Sequence, residues 1–264
     1  MRDIKVSIIF AFYNKSEIHL KNVLCSIDQQ IVDFPFELII INDGSDNKLE
    51  YKKIINSFSF KKNDIEVKYK NVGRLGFPFS QQNGIKLMDP NSKIVVIQAC
   101  DIIYGNEYTL QRLVNNVDNK HYSLALVRNF SVDYDICGSY KESVEKILEE
   151  WNKTEIQDIY VDPGKPKSLL FFLGAIRKDH LLEKTPWMKN SCDAVVGTIL
   201  RNYNKERSFI PIWVDDAIGI HQNHEKIWYE CPVVETCKYK CIRTKMYMKT
   251  KSKIGDIRNT REKE

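Results

Sequence analysis

The chain has 264 residues, a net charge of +5, 43% hydrophobic and 28% charged residues. That length buries a substantial core, and the balance excludes a disordered or collagen-like chain. No run of eighteen apolar residues occurs in the sequence, which argues against a membrane-spanning helix, and the short apolar stretch in "MRDIKVSIIFAFYN" reads as a strand rather than a secretory leader. A cytoplasmic protein is expected.

In chain order, short β-branched runs alternate with amphipathic stretches, as in βαβ units. Strands are predicted at Lys5–Phe12, Phe36–Asn42, Ile65–Tyr69 and Lys93–Gln98, and helices at Glu17–Gln29, Lys48–Ser57, Phe79–Met88 and Asn106–Val117. Runs such as "VSIIFAF" and "ELIIIND" are apolar on both faces, and only a sheet covered by helices on both sides buries them. Further on come a strand in "SLALVRNF", a charged helix at Tyr140–Trp151 and a polar loop at Thr154–Lys167. "SLLFFLGAIRKDHLLEK" reads as a strand running into a helix, and Cys192–Tyr203 as a further helix. "SFIPIWVDDAIGIHQNH" reads as a strand followed by a loop bearing His221 and His224.

Ligands collect at the carboxyl ends of the strands of such sheets. Three strand ends here carry Tyr13-Asn14, Asp43-Gly44-Ser45 and Asp101. Each alone is explained by turn chemistry, but their recurrence along one rim points to a site.

Seven cysteines, an odd number, do not form a disulfide framework. Cys231, Cys237 and Cys241, with His221 or His224, are the only zinc-like grouping, and no C-x-x-C supports it. From Lys238 to Arg261 there are nine Lys or Arg against one Asp, with Tyr239, Met246, Tyr247 and Met248 interleaved. This basic tail suits anionic lipid or polyanions, or is simply solvated. Peripheral membrane contact is the expectation carried forward, with no nucleic-acid partner.

"VSIIFAFYNKSEIHLKNVLCSIDQQ", "FELIIINDGSDN" and "GFPFSQQNGIKLM" before "KIVVIQACDIIY" together resemble the opening of family 2 glycosyltransferases of the GT-A fold. The likeness covers residues 4 to 118 well and extends more weakly to about 224. It implies an α/β protein with a mostly parallel central sheet, helices on both faces and a C-terminal extension. Residues 1–118 would bind the nucleotide-sugar donor, 119–230 the acceptor, and 231–264 would be the basic tail. The implied activity is inverting transfer of a sugar, from a UDP-sugar, to a glycan, lipid-linked or protein acceptor. The alternative is a nucleotide-sugar-binding protein with little or no transferase activity.

By position, the resemblance implies a donor site of Ala11, Phe12, Tyr13, Asp43, Gln82, Asn83, Cys100 and Asp101. Ala11, Phe12 and Tyr13 would border the base and Asp43 would accept a base N–H. The metal-binding Asp-x-Asp-Asp of the family is here Gln98-Ala99-Cys100-Asp101, so one acid remains. Asp101 with His221 would hold Mn²⁺ or Mg²⁺ weakly or dispensably, with Arg74 or Lys226 as substitute cations. Gln82 stands where an Arg often precedes the helix Asn, which lowers the positive charge facing a diphosphate. "WMKNSCDAVVGTILRNY" resembles the segment that carries the general base, implying Asp193 in that role and Arg201 at its helical Arg position. Trp187 and Trp213 are expected either as core aromatics or as a wall for a sugar ring.

Overall fold

The computed structural model describes residues 5–130, 132–153, 173–182 and 210–222. Eight strands form one sheet: β1 (Lys5–Phe12), β2 (Phe36–Asp43), β3 (Glu66–Val72), β4 (Ser92–Ala99), β5 (Ile102–Tyr104), β6 (His121–Phe130), β7 (Leu173–Arg177) and β8 (Ile210–Gln222). Among the described residues six helices connect or flank them: α1 (Glu17–Asp28), α2 (Lys48–Ser57), α3 (Phe77–Ile85), α4 (Thr109–Asn115), α5 (Tyr140–Lys153) and α6 (Lys178–Leu182). The strand order is β3-β2-β1-β4-β7-β6-β8-β5. The first four strands are mutually parallel. Strand β7 joins β4 and β6 antiparallel, β8 runs parallel to β6, and β5 closes the edge antiparallel to β8.

The two faces follow from the two-residue repeat of a strand. Val6, Ile8, Phe10 and Phe12 face one core with Leu20, Val23, Leu24 and Ile27 of α1, Ile54 and Ile55 of α2, and Leu110 and Leu113 of α4. Ile9 and Ala11 face the other with Ile39, Ile41, Val95, Ile97 and Ile85 of α3. Each such aliphatic side chain, fully buried, contributes about 1.5–3 kcal/mol. This explains why "VSIIFAF" and "ELIIIND" lack polar alternation. Helix α1 starts where Ser16 accepts a hydrogen bond from the His19 N–H at 3.3 Å, with Glu17 in the first turn. Helix α3 lies close over the sheet because Gly84 has no side chain, and a Cβ there would collide with Ile9 Cγ2.

Strand boundaries agree with the sequence pattern for β1 and lie within a few residues for β2, β3 and β4. Two features differ from expectation. The residues after Asp101 do not leave directly for a helix but form β5, so Asp101 lies in a tight connection between two strands. His221 is on β8, opposite Ile102 of β5, rather than in a loop. The sheet also runs unbroken past residue 118, because β6 to β8 extend what β1 to β4 begin.

One acid within the apolar run of β2 is fully buried. Glu37 accepts hydrogen bonds from the Ser7 hydroxyl and from the Asp89 N–H at 2.7 Å, and Lys68 Nζ lies 2.7 Å from its other oxygen. Burial pushes its carboxyl upward, but Lys68, Ser7 and the Asp89 N–H together outweigh that and hold it below its ordinary 4.5. A depressed value means the folded state takes up the proton less readily than the unfolded chain. The stabilisation is therefore present above about pH 4.5 and is lost as pH falls through the lower folded value.

Glu37→Gln is expected to cost about 1–3 kcal/mol at neutral pH and to flatten the acid limb of a plot of melting temperature against pH, both read by thermal denaturation from pH 3 to 7. Gly84→Val is expected to destabilise by about 1–3 kcal/mol through overpacking against Ile9, measured by urea unfolding.

Candidate active site at the carboxyl edge of the sheet

Strands β1, β2, β3 and β4 are parallel and in register, so their carboxyl ends deliver four segments to one edge. The first three are tied together. Asn14, in the left-handed region at φ 44°, donates its backbone N–H to Ser45 Oγ at 2.9 Å and its side-chain amide to Asp46 Oδ2 at 2.8 Å, while its Oδ1 accepts the Asp46 backbone N–H at 3.0 Å. Asn42 Oδ1 accepts the Ser45 N–H, and the Asn42 amide donates to the Tyr69 hydroxyl. Gly44 is required where it stands: φ is 77°, and a Cβ would lie 2.7 Å from the Arg74 nitrogen.

Asp43 holds the segment after β3. Its two oxygens accept the N–H groups of Leu75 at 2.8 Å and Gly76 at 3.0 Å, just ahead of α3. Each carboxylate oxygen has a second lone pair, so a ligand N–H can be added to this arrangement. Arg74 lies over the ring of Tyr13, 3.8 Å from its centroid, and donates to the Tyr13 hydroxyl at 2.9 Å. Tyr13, Arg74 and Asp43 are thus one contiguous group.

Asp101 joins from the other side. Lys15 Nζ lies 2.7 Å from Asp101 Oδ2, with the two side chains only 4% and 11% exposed, and His221 Nε2 lies 3.5 Å from Asp101 Oδ1. The Gln222 N–H donates to the Asp101 carbonyl at 2.8 Å. Lys15 is itself fixed by the Tyr51 hydroxyl, which donates to its carbonyl at 2.6 Å, while Tyr51 packs edge-on against Phe12. Burial, moderated by Lys15, pushes the Cys100 thiol up to about 12, which disfavours the thiolate. Burial likewise lowers His19, whose ring lies 3.0 Å from the Val132 carbonyl.

The structure brings Tyr13, Asp43, Cys100, Asp101 and His221 to this edge and gives other expected residues different surroundings. The Phe12 side chain packs in the core, which leaves only its backbone for a ligand, and Ala11 faces the opposite core. The Asn83 amide donates to the Phe79 carbonyl at 2.9 Å and its oxygen accepts from Lys70 at 3.3 Å. Gln82 is half-buried on the same helix. Trp213 packs against the second core. Asp193, Arg201, Trp187, His224, Lys226, the cysteines at 231, 237 and 241 and the basic tail all lie outside the described residues.

Two residues went unnoticed in the sequence. One is Lys15. The other is Gln81, fully buried on α3 with neither amide atom hydrogen-bonded, next to Ser80, whose buried hydroxyl also has no partner. A buried amide left unpaired costs about 1–3 kcal/mol. The doublet Gln81-Gln82 gave no hint of which one turns inward.

The described residues are a poor fit for a resident divalent cation: of the expected ligands they bring only Asp101 and His221 together, with His221 Nε2 3.5 Å from Asp101 Oδ1. Hard cations take six or more oxygen ligands. Gln98 is fully buried and its amide donates to the Ile102 carbonyl at 2.7 Å, Ala99 offers no ligand, Cys100 offers only soft sulfur, and Asp101 is already paired with an ammonium. Among the described residues no group of three or more His, Cys, Asp or Glu is placed to hold a metal ion.

The parallel strands, the edge site and the mixed continuation of the sheet define the GT-A fold of glycosyltransferases, and solved structures agree. A mannosyltransferase, PcManGT from Pyrobaculum calidifontis, solved in complex with GDP-Man and Mn²⁺, superposes with a TM-score of 0.57 at 16% identity over 88% of this chain and 61% of its own. S. aureus TarS gives 0.53 at 16% identity over 89% of this chain and 40% of its own, and a mycobacterial protein gives 0.52 at 15% over 84% and 69%. This chain thus spans about three-fifths of the first of these proteins and two-fifths of TarS. No curated protein matches the sequence. The profile of glycosyl transferase family 2 matches residues 7–161, more than half the chain, and the protein belongs to that family.

Asp43→Ala is expected to release the Leu75-Gly76 segment, speeding amide hydrogen exchange there while protection in β1 and β2 stays near wild type. Exchange measured by mass spectrometry checks it, and unchanged exchange at these two amides would refute the clamp.

Proposed function

We propose that the protein transfers a sugar, with inversion, from a nucleoside diphosphate donor of the UDP-sugar class to a hydroxyl of a glycan, lipid-linked or protein acceptor. The observation that carries this reading is the contiguous Tyr13, Arg74 and Asp43 group at the carboxyl edge of the parallel strands. It combines a flat π surface with a carboxylate that has lone pairs to spare, the two features a nucleobase with an N–H edge requires. Uracil has such an edge, and so does guanine, the base of the donor bound to PcManGT.

In the transfer, the acceptor oxygen attacks the anomeric carbon as the bond from that carbon to the diphosphate oxygen breaks. The acceptor proton passes to a carboxylate, a role for Asp193 that rests on the family resemblance alone. The departing diphosphate gathers negative charge at the sheet edge. Tyr13 and Asp43 orient the base end, and binding energy from that end is what aligns the reacting carbon. The strand end of Gln98, Ala99, Cys100 and Asp101 offers one carboxylate, paired with Lys15, so this reading assigns no step to a divalent cation. The loss of two acids from that motif supports a second reading, a nucleotide-sugar-binding protein with little turnover.

A thermal-shift screen of nucleotide sugars is expected to identify one donor class by ligand-linked stabilisation, and transfer of labelled sugar from that donor separates the two readings. Failure of every nucleotide sugar to stabilise the protein would defeat both. Gln81→Leu is expected to leave the melting temperature unchanged or raised, because a buried unpaired amide is removed, as read by thermal denaturation.

A further inference from the structure

The end of the fourth strand carries a single acid, Asp101, after Gln98, Ala99 and Cys100. Gln98 is committed to β5 through the Ile102 carbonyl, Ala99 is inert, and the Cys100 thiol lies against Lys15. The one carboxylate left is in a buried ion pair, with Lys15 Nζ at 2.7 Å. Removing both charges from water costs several kcal/mol per ion unless the geometry repays it. Such a pair therefore needs a reason to sit at the very edge where a diphosphate would lie.

The surroundings of Lys15 are rigid. The Tyr51 hydroxyl holds its carbonyl, the residue before it is crosslinked to Ser45 and Asp46, and the residue after it caps α1. A positive charge fixed in advance by its scaffold stabilises developing negative charge without reorganising. Lysine is also an established point-charge partner of phosphate.

We infer that the Lys15 ammonium, positioned by Asp101, takes the place of the divalent cation, so that this protein binds the diphosphate of its donor without a metal. The inference rests on the donor reading above and goes beyond it by replacing the cofactor with a residue of this chain. In this reading Lys15 binds the diphosphate itself, and Asp101 is the residue that positions it. Arg74, the other cation at this edge, is stacked on Tyr13 and belongs to the base end.

The test is calorimetric titration of the full chain with UDP, GDP, uridine and guanosine, in EDTA and in saturating Mn²⁺. For wild type, one diphosphate is expected to bind with affinities within about threefold in the two conditions. Lys15→Met is expected to weaken that diphosphate by about tenfold or more while changing its nucleoside by less than about twofold. Tightening of wild type by Mn²⁺ of about tenfold or more would overturn the inference while leaving the donor reading intact, and it needs no variant. A Lys15→Met protein that loses diphosphate and nucleoside affinity equally would also overturn it, since the ion pair would then serve folding alone. Binding of neither diphosphate in either condition would remove the donor reading and this inference together.

Discussion

The central strands are covered on both faces, and most of what is particular to this protein follows from that constraint. Strands β1, β2 and β4 carry large aliphatic side chains toward α1, α2 and α4 on one side and toward α3 on the other. A polar side chain within them needs a private partner, as Glu37 has in Lys68 and Ser7. Everything else polar is displaced to the strand ends, and because the strands are parallel those ends share one edge. Chemistry accumulates there because the core admits it nowhere else.

Along that edge the side chains divide between two tasks. Asp43, Asn14, Ser45 and Asn42 fix the backbone, with hydrogen bonds reaching between segments that are distant in sequence. Tyr13 with Arg74, and Lys15 with Asp101, present a π surface and a charge on the frame so fixed. Asp43 belongs to both groups: it locks the entry to α3 and keeps lone pairs for a ligand. Rigidity and recognition are coupled at that carboxylate, since a side chain that fails to hold Leu75 and Gly76 also leaves Arg74 unplaced over the aromatic ring.

Much of the architecture was legible in the sequence because burial leaves a strong periodic signature. The bounds of β1 and α2 coincide with those read from the pattern of apolar residues. The short strand β5 was not legible. "IIY" follows Asp101 with no turn residue between them, and three residues are too few to show a period. His221 was read into a loop because "GIHQNH" looks polar, whereas alternate residues of β8 face the core and the strand continues through Gln222. The partner of Asp101 was hidden for a different reason. Lys15 lies 86 residues away in sequence, and only the pairing of Ala11 with Ala99 across β1 and β4 brings their following residues together. The inward turn of Gln81 rather than Gln82 is likewise a property of how α3 seats on the sheet, set by Gly84 against Ile9.

Gln98 shows why the end of the fourth strand does not readily take an acid. Its amide N–H gives the Ile102 carbonyl a partner and so joins the fourth strand to the fifth. An ionised aspartate there would have no proton to offer, would be one methylene shorter, and would set a carboxylate toward a carbonyl in a fully buried spot. An acid at this position therefore requires a second change that satisfies the Ile102 carbonyl in another way.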